Sequence, residues 1–233
     1  MKSKIVLLVY FIACISTIVS NTVGFRDGML WSKVAIVPAI AFYYFLKSNR
    51  KINVLLSGVL LSCYLGDIYI LISPNDHTSV EIACFFTAYL LLVFYLLPDF
   101  LKIKWSYKEN LVLITITSFA LAILAYLILT LKFEKIDISM IVLLLYGVML
   151  SFLMLISIVE YFRSSTEVSL NLLFACVFFY FSDSFYIINK FYLSFSILDF
   201  VQIVTQVFSY YFLVNFFILR EQKLAAYTNI DLP

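Results

Sequence analysis

Long apolar runs dominate the chain, interrupted only by short polar links. Eight runs of roughly the ~17 to 22 residues needed to cross a ~30 Å hydrocarbon layer as α-helix occur at 5–20, 30–46, 52–73, 79–97, 111–131, 138–159, 168–189 and 197–219. The longest link, "PDFLKIKWSYKEN", leaves no room for a separate soluble unit. The pattern predicts an all-α membrane protein, with residues 1–233 forming a single transmembrane domain of eight helices.

Composition agrees with that pattern. Of 233 residues, 64% are hydrophobic and 13% charged, and the mean hydropathy is +1.04. The 14 acidic and 16 basic side chains are too few to give a soluble core of this size a polar shell. A net charge of +2 without a basic cluster excludes a nucleic-acid partner. Cys14, Cys63, Cys84 and Cys176 each lie in an apolar run without metal-ligand spacing. His77 stands alone in the link "SPNDHTS", so no metal site is expected, and nothing suggests an organic cofactor. The first run follows "MKSK" and lacks a clear small-x-small cleavage site near Ser20, so a retained helix is expected.

Lysine and arginine set the expected orientation, because positive flanks are retained on the cytoplasmic side. With the N-terminus inside, 11 fall on the cytoplasmic side, and four (Arg26, Lys132, Lys135 and Lys190) on the other. Lys33 lies within a run. Both termini are therefore expected in the cytoplasm, at a cell membrane of bacterial type.

Against this background two stretches stand out. "YLGDIYI" in the third run and "YFSDSFYI" in the seventh each bury an aspartate, Asp67 and Asp183, after a small residue and a tyrosine. At an offset of 116 residues Tyr64 aligns with Tyr180, Gly66 with Ser182 and Asp67 with Asp183. Runs four apart enter the membrane in one direction, so a parallel repeat of four plus four helices is one reading. Both aspartates stand about six residues before the expected outer helix ends, ~9 Å deep. Lys33, Asp199, Gln202 and Gln206 fall near that depth, with Tyr146 and Ser151 somewhat deeper.

An ionised carboxylate facing lipid costs about 3 kcal/mol on insertion scales, so such groups turn inward, pair, or take up a proton. Two carboxylates in one dry chamber would suit acid–base chemistry. Gly66 and Ser182 would let a substrate or a helix approach closely. Two other readings stay open: a lipid-binding or proton- or cation-coupled transport protein, and a structural bundle in which Asp67 pairs with Lys33. A transporter needs access from both sides, whereas the polar positions cluster on one. The loop charges of "KFEKID" and "REQK" are solvated flanks.

The segments "LLFACVFFYFSDSFYIINKF" (172–191) and "LLSCYLGDIYIL" (60–71) resemble the Ser-Asp-Ser and Gly-Asp helices of the YhhN-like lysoplasmalogenase family of eight-helix membrane proteins. "SKVAIVP" (32–38), "LLLYGVML" (143–150) and "YYFLVNFFI" (210–218) are similar to further family elements. Three positions depart from the family pattern. Tyr89 stands where a fourth-helix histidine is common, Val34 follows Lys33 in place of proline, and Asn215 occupies a glutamine position.

The resemblance implies hydrolysis of the vinyl-ether bond of a lysoplasmalogen, releasing a fatty aldehyde. Asp67 and Asp183 would be the catalytic acid and carboxylate. Lys33 would hold the lipid phosphate, and Tyr64 and Tyr180 would orient the carboxyls. Tyr146, Ser182, Gln202 and Gln206 would complete the binding site for a membrane lysolipid. A cysteine placed in the "SPNDHTS" link is expected to react with an impermeant maleimide on intact cells; protection would invert the orientation.

Overall fold

The computed structural model describes residues 2–48, 50–72, 78–102, 109–129, 140–192 and 195–228. His77, Lys104, Lys108, Lys132 and Lys135 lie outside the described residues. Eight α-helices follow in order: α1 Lys2–Val23, α2 Arg26–Lys47, α3 Val54–Ile72, α4 Thr78–Leu101, α5 Glu109–Leu129, α6 Met140–Ser164, α7 Glu167–Phe191 and α8 Ser196–Thr228. Among the described residues there is no strand, and seven helices, all but α5, are long and apolar enough to span a membrane. The expected fifth span is the helix α5, of 21 residues.

Local chemistry ends the helices where it does. Gly24, at φ +75°, turns the chain between α1 and α2, and the Phe25 N–H reaches back to the Ser20 carbonyl at 2.8 Å. Thr166 and Ser169 form a reciprocal capping box at the start of α7. The Asn53 side chain accepts the Leu55 and Leu56 N–H groups, both at 3.1 Å, at the start of α3.

Helix α8 runs past the expected end at 219, and its polar residues there are bonded across the bundle. Glu221 accepts the Tyr44 hydroxyl at 2.6 Å and the Asn53 amide at 3.0 Å, and Arg220 pairs with Asp99 of α4. Those partners carry the helix beyond its apolar run.

Around the bundle the order of packing is α1, α2, α3, α4, α6, α7, α8 and back to α1, with α2 also against α8 and α5 against α6. Under the 116-residue offset, α1–α2 corresponds to α5–α6, α2–α3 to α6–α7, α3–α4 to α7–α8, and α2–α8 to α6–α4. Each of these pairs packs together. The α1–α8 contact has no counterpart among the principal pairs.

The interior is apolar and aromatic, with Ile40, Leu56, Leu92, Leu153, Phe179 and Phe217 fully buried. Large apolar side chains such as Ile12, Leu61, Phe94 and Leu145 are exposed on the outside. Water would penalise that surface, and a bilayer covers it.

Two close approaches position the site. A Cβ added at Gly66 of α3 would lie 2.9 Å from the Phe85 ring and 3.3 Å from the Cys84 Cβ of α4. Ser182 of α7 donates to the Gln202 carbonyl of α8 at 3.2 Å. Both small residues therefore admit a neighbouring helix. Gly66→Ala is expected to force α3 and α4 apart and lower stability by about 1–3 kcal/mol. The measurement is thermal unfolding in detergent, and an unchanged melting temperature would count against this packing.

Candidate functional site

The two aspartates are held in different ways. Asp67 is 3% exposed. Lys33 Nζ lies 3.2 Å from its Oδ1, Gln206 Nε2 donates to Oδ1 at 2.8 Å, and the Tyr210 hydroxyl donates to Oδ2 at 2.8 Å. Helices α2 and α8 thus supply the whole shell of a carboxylate on α3. Lys33 is itself 4% exposed, so its ammonium is enclosed and engaged by Asp67. That is the pairing weighed for it as a structural residue, and it leaves the lysine turned inward from the lipid headgroups.

Asp183 of α7 is half-buried and has no such ion pair among the described residues. The Tyr89 hydroxyl of α4 donates to its Oδ2 at 2.5 Å, and the Tyr146 hydroxyl of α6 donates to the same oxygen. Tyr89 is fully buried, its ring 5.4 Å from Phe179 and 5.8 Å from Tyr146. Tyr89 thus carries a donor from α4 to the Asp183 carboxyl. Under the internal offset the shells correspond helix for helix: α2 and α8 serve Asp67, and α6 and α4 serve Asp183.

A small cavity lies beside Asp183, walled by Ile70, Glu81, Phe85, Tyr146, Tyr186, Gln202 and Gln206 among others. It offers about 20 Å³ to the centre of a water molecule, which is room for about one. Asp67 is not in its wall. The shared chamber expected for both carboxylates is therefore corrected: Asp67 is closed within its own shell, and Gln206 is the side chain that touches both places. Asp67 stands five residues before the last described residue of α3 and Asp183 eight before the end of α7. Helix α7 continues to Phe191, whose ring is buried.

The remaining candidates divide among three places. Ser182, Gln202, Gln206 and Tyr146 line the Asp183 cavity. Tyr180 and Ser151 line a groove between α5, α6 and α7, otherwise walled by apolar residues such as Leu143, Leu144 and Val148, and it shares Tyr146 and Ile187 with the cavity. Tyr64 lies apart in a groove between α2 and α3 with Val37, Pro38 and Leu60. The tyrosine that precedes each aspartate by three residues therefore orients neither carboxyl. Asp199 accepts the Asn189 amide, and Asn189 accepts the Phe195 N–H at 2.8 Å, so this pair braces the α7–α8 turn.

Sequence reasoning missed Tyr89 and Tyr210 as ligands of the carboxylates, and Glu81 altogether. Glu81 is 3% exposed. Its Oε2 lies 3.1 Å from Lys190 Nζ, and Lys190 is hydrogen-bonded to the Tyr186 hydroxyl one turn earlier on α7. The available signal was an acid in the first turn of an apolar helix, which is also what a simple helix flank looks like.

The model of the YhhN family matches residues 29–221, a span that includes both aspartate shells and Glu81. No curated protein and no solved structure matches the chain.

The Asp67 shell yields a direct test. Lys33→Met leaves a buried carboxylate without its counter-charge and is expected to cost about 3–5 kcal/mol of stability. Adding Asp67→Asn to that variant is expected to recover part of the loss. Thermal unfolding of the two single variants and the double variant measures the coupling, and simple additivity would show the pair to be energetically idle.

Proposed function

The chain belongs to the YhhN family, and we propose that it is a membrane-embedded hydrolase that cleaves the vinyl-ether bond of lysoplasmalogen-type lysolipids. The observation that carries this reading is the Asp183 site. A half-buried carboxyl, held through one oxygen by two tyrosine hydroxyls, borders a cavity with room for a single water and adjoins an apolar groove.

A vinyl ether is cleaved by adding a proton to its β-carbon. The C=C electron pair forms the new C–H bond and leaves an oxocarbenium ion, which water attacks at the α-carbon. The resulting hemiacetal passes its hydroxyl proton to the glycerol oxygen as that C–O bond breaks, giving an aldehyde and a glycerophospho-base. In this assignment Asp183 supplies the first proton. Its conjugate carboxylate, with Oδ2 steadied by Tyr89 and Tyr146, faces the cation as it forms. Asp67, paired with Lys33 outside the cavity, holds the Gln206 amide at the cavity wall. The groove between α5, α6 and α7 takes the hydrocarbon chain, with Tyr146 and Ile187 between chain and cavity. The reaction calls for no cofactor.

The orientation fits this use, with both termini cytoplasmic and the C-terminal ends of α3 and α7 toward the outer leaflet. The matching helix contacts and matching carboxylate shells support descent of the two halves from one four-helix unit. The transport alternative needs a path on from Asp183 toward the other end of the bundle. At the next turns in that direction stand Leu92, Leu153, Phe179, Leu213 and Phe217, all fully buried.

Purified protein is expected to release fatty aldehyde from a lysoplasmalogen and to leave the saturated ether analogue intact. Asp183→Asn is expected to lower kcat by about 10²-fold or more, the usual share of a general acid. Full activity in that variant would remove Asp183 from the chemistry, and turnover of the saturated analogue would remove the vinyl ether as the reacting bond.

A further inference from the structure

We infer that Glu81 is a second carboxylate of the reactive site, and that its Oε1 accepts a proton from the water that attacks the substrate. This inference rests on the hydrolase reading above and assigns that reading's missing base.

The starting observation is an unsatisfied atom. Glu81 is 3% exposed, and Oε1 is a fully buried side-chain oxygen without a hydrogen-bond partner among the described residues. Buried polar atoms are almost always paired with protein or with ordered water, and an orphaned carboxylate oxygen is among the least tolerated. Glu81 lines the same cavity as Asp183, and that cavity holds about one water. Oε1 and the Asp183 carboxyl can accept from such a water, while Tyr186, Gln202 and Gln206 in the same wall provide further polar groups. The site meets the two-to-four-partner requirement of a bound water.

The second oxygen shows why Glu81 suits the role of base. Lys190 Nζ lies 3.1 Å from Oε2, and Lys190 is held in turn by Tyr186, its neighbour at i−4. A cation bound on one oxygen orients the carboxylate and leaves the other free for chemistry. Asp183 presents the opposite arrangement, a carboxyl contacted by neutral hydroxyls with no cation among its partners. Two carboxyls in unlike surroundings on one cavity are the arrangement in which an acid and a base can be told apart.

The protons balance. Asp183 transfers its proton to the β-carbon, the water oxygen bonds the α-carbon, and one water proton passes to Oε1. The other stays on the hemiacetal hydroxyl and moves to the glycerol oxygen as the C–O bond breaks. Glu81 then returns its proton to Asp183 across the cavity, by way of the next water, and the site is reset.

The test uses the full chain in lipid nanodiscs with a lysoplasmalogen substrate. Glu81→Gln keeps the shape and an amide oxygen to accept from Lys190 while removing the charge, and is expected to lower kcat about 10²-fold or more with little change in KM. The limb of the kcat–pH profile contributed by the base is expected to vanish. Glu81→Ala opens space at the cavity, and added formate is expected to restore part of its activity, but not that of Asp183→Asn. Wild-type rates in Glu81→Gln overturn the inference while leaving the hydrolase reading standing. Loss of activity without formate rescue and with an unchanged pH profile shows a structural role only and overturns it too. An inert wild type overturns the hydrolase reading, and this role with it.

Discussion

A carboxylate inside a bundle of apolar helices must be matched by a cation, by hydrogen-bond donors, or by water, and the arrangement of this protein follows from how it meets that demand three times. Asp67 is matched completely, by Lys33 and by donors from Gln206 and Tyr210. The ion pair joins α2 to α3, and the Gln206 and Tyr210 donors tie α8 to the same carboxylate. Its stabilising value is not the Coulomb attraction alone, because two buried charges give up much hydration to meet. Its larger effect is geometric, since neither partner can leave without stranding the other. Gln206 is thereby fixed at the edge of a second polar site.

That second site is matched incompletely. Asp183 is bonded through one oxygen by two phenols, and Glu81 has one oxygen on Lys190, the Tyr186 hydroxyl beside it, and an Oε1 without a hydrogen-bond partner among the described residues. Polar groups left short of partners in an otherwise closed interior mark where something small must come and go. Asp67 is met by an ammonium, an amide and one phenol, whereas Asp183 is met by two phenols. The first carboxylate is enclosed, and the second stands on a cavity wall.

Much of this was legible before any coordinates. Apolar run length located all eight helices, and the cost of charge in lipid singled out Asp67 and Asp183. What failed did so for physical reasons. Tyr64 and Tyr180 were placed at the carboxyls because a three-residue step keeps two side chains on one helix face, yet each tyrosine lines a groove beside its helix, and donors from other helices take the carboxyls. Tyr89 and Tyr210 do reach them, but from other helices, and no spacing along one chain encodes such a contact when 17 tyrosines are present. Glu81 and Lys190 resembled ordinary helix flanks, because their pairing joins helix ends more than 100 residues apart. The end of α8 ran past its apolar stretch because Arg220 and Glu221 find partners on α4, α2 and α3.

Gly66 ties these parts together in a way its size conceals. A methyl group there would meet Phe85, and Phe85 lines the Asp183 cavity four residues after Glu81, which lines it too, and four before Tyr89, which donates to Asp183. The place where α3 offers only a hydrogen atom is thus the midpoint of the α4 face that meets this polar site. The width of the site is gauged by a missing methyl group, and a residue that can neither bond nor titrate acts as the ruler by which two others are spaced.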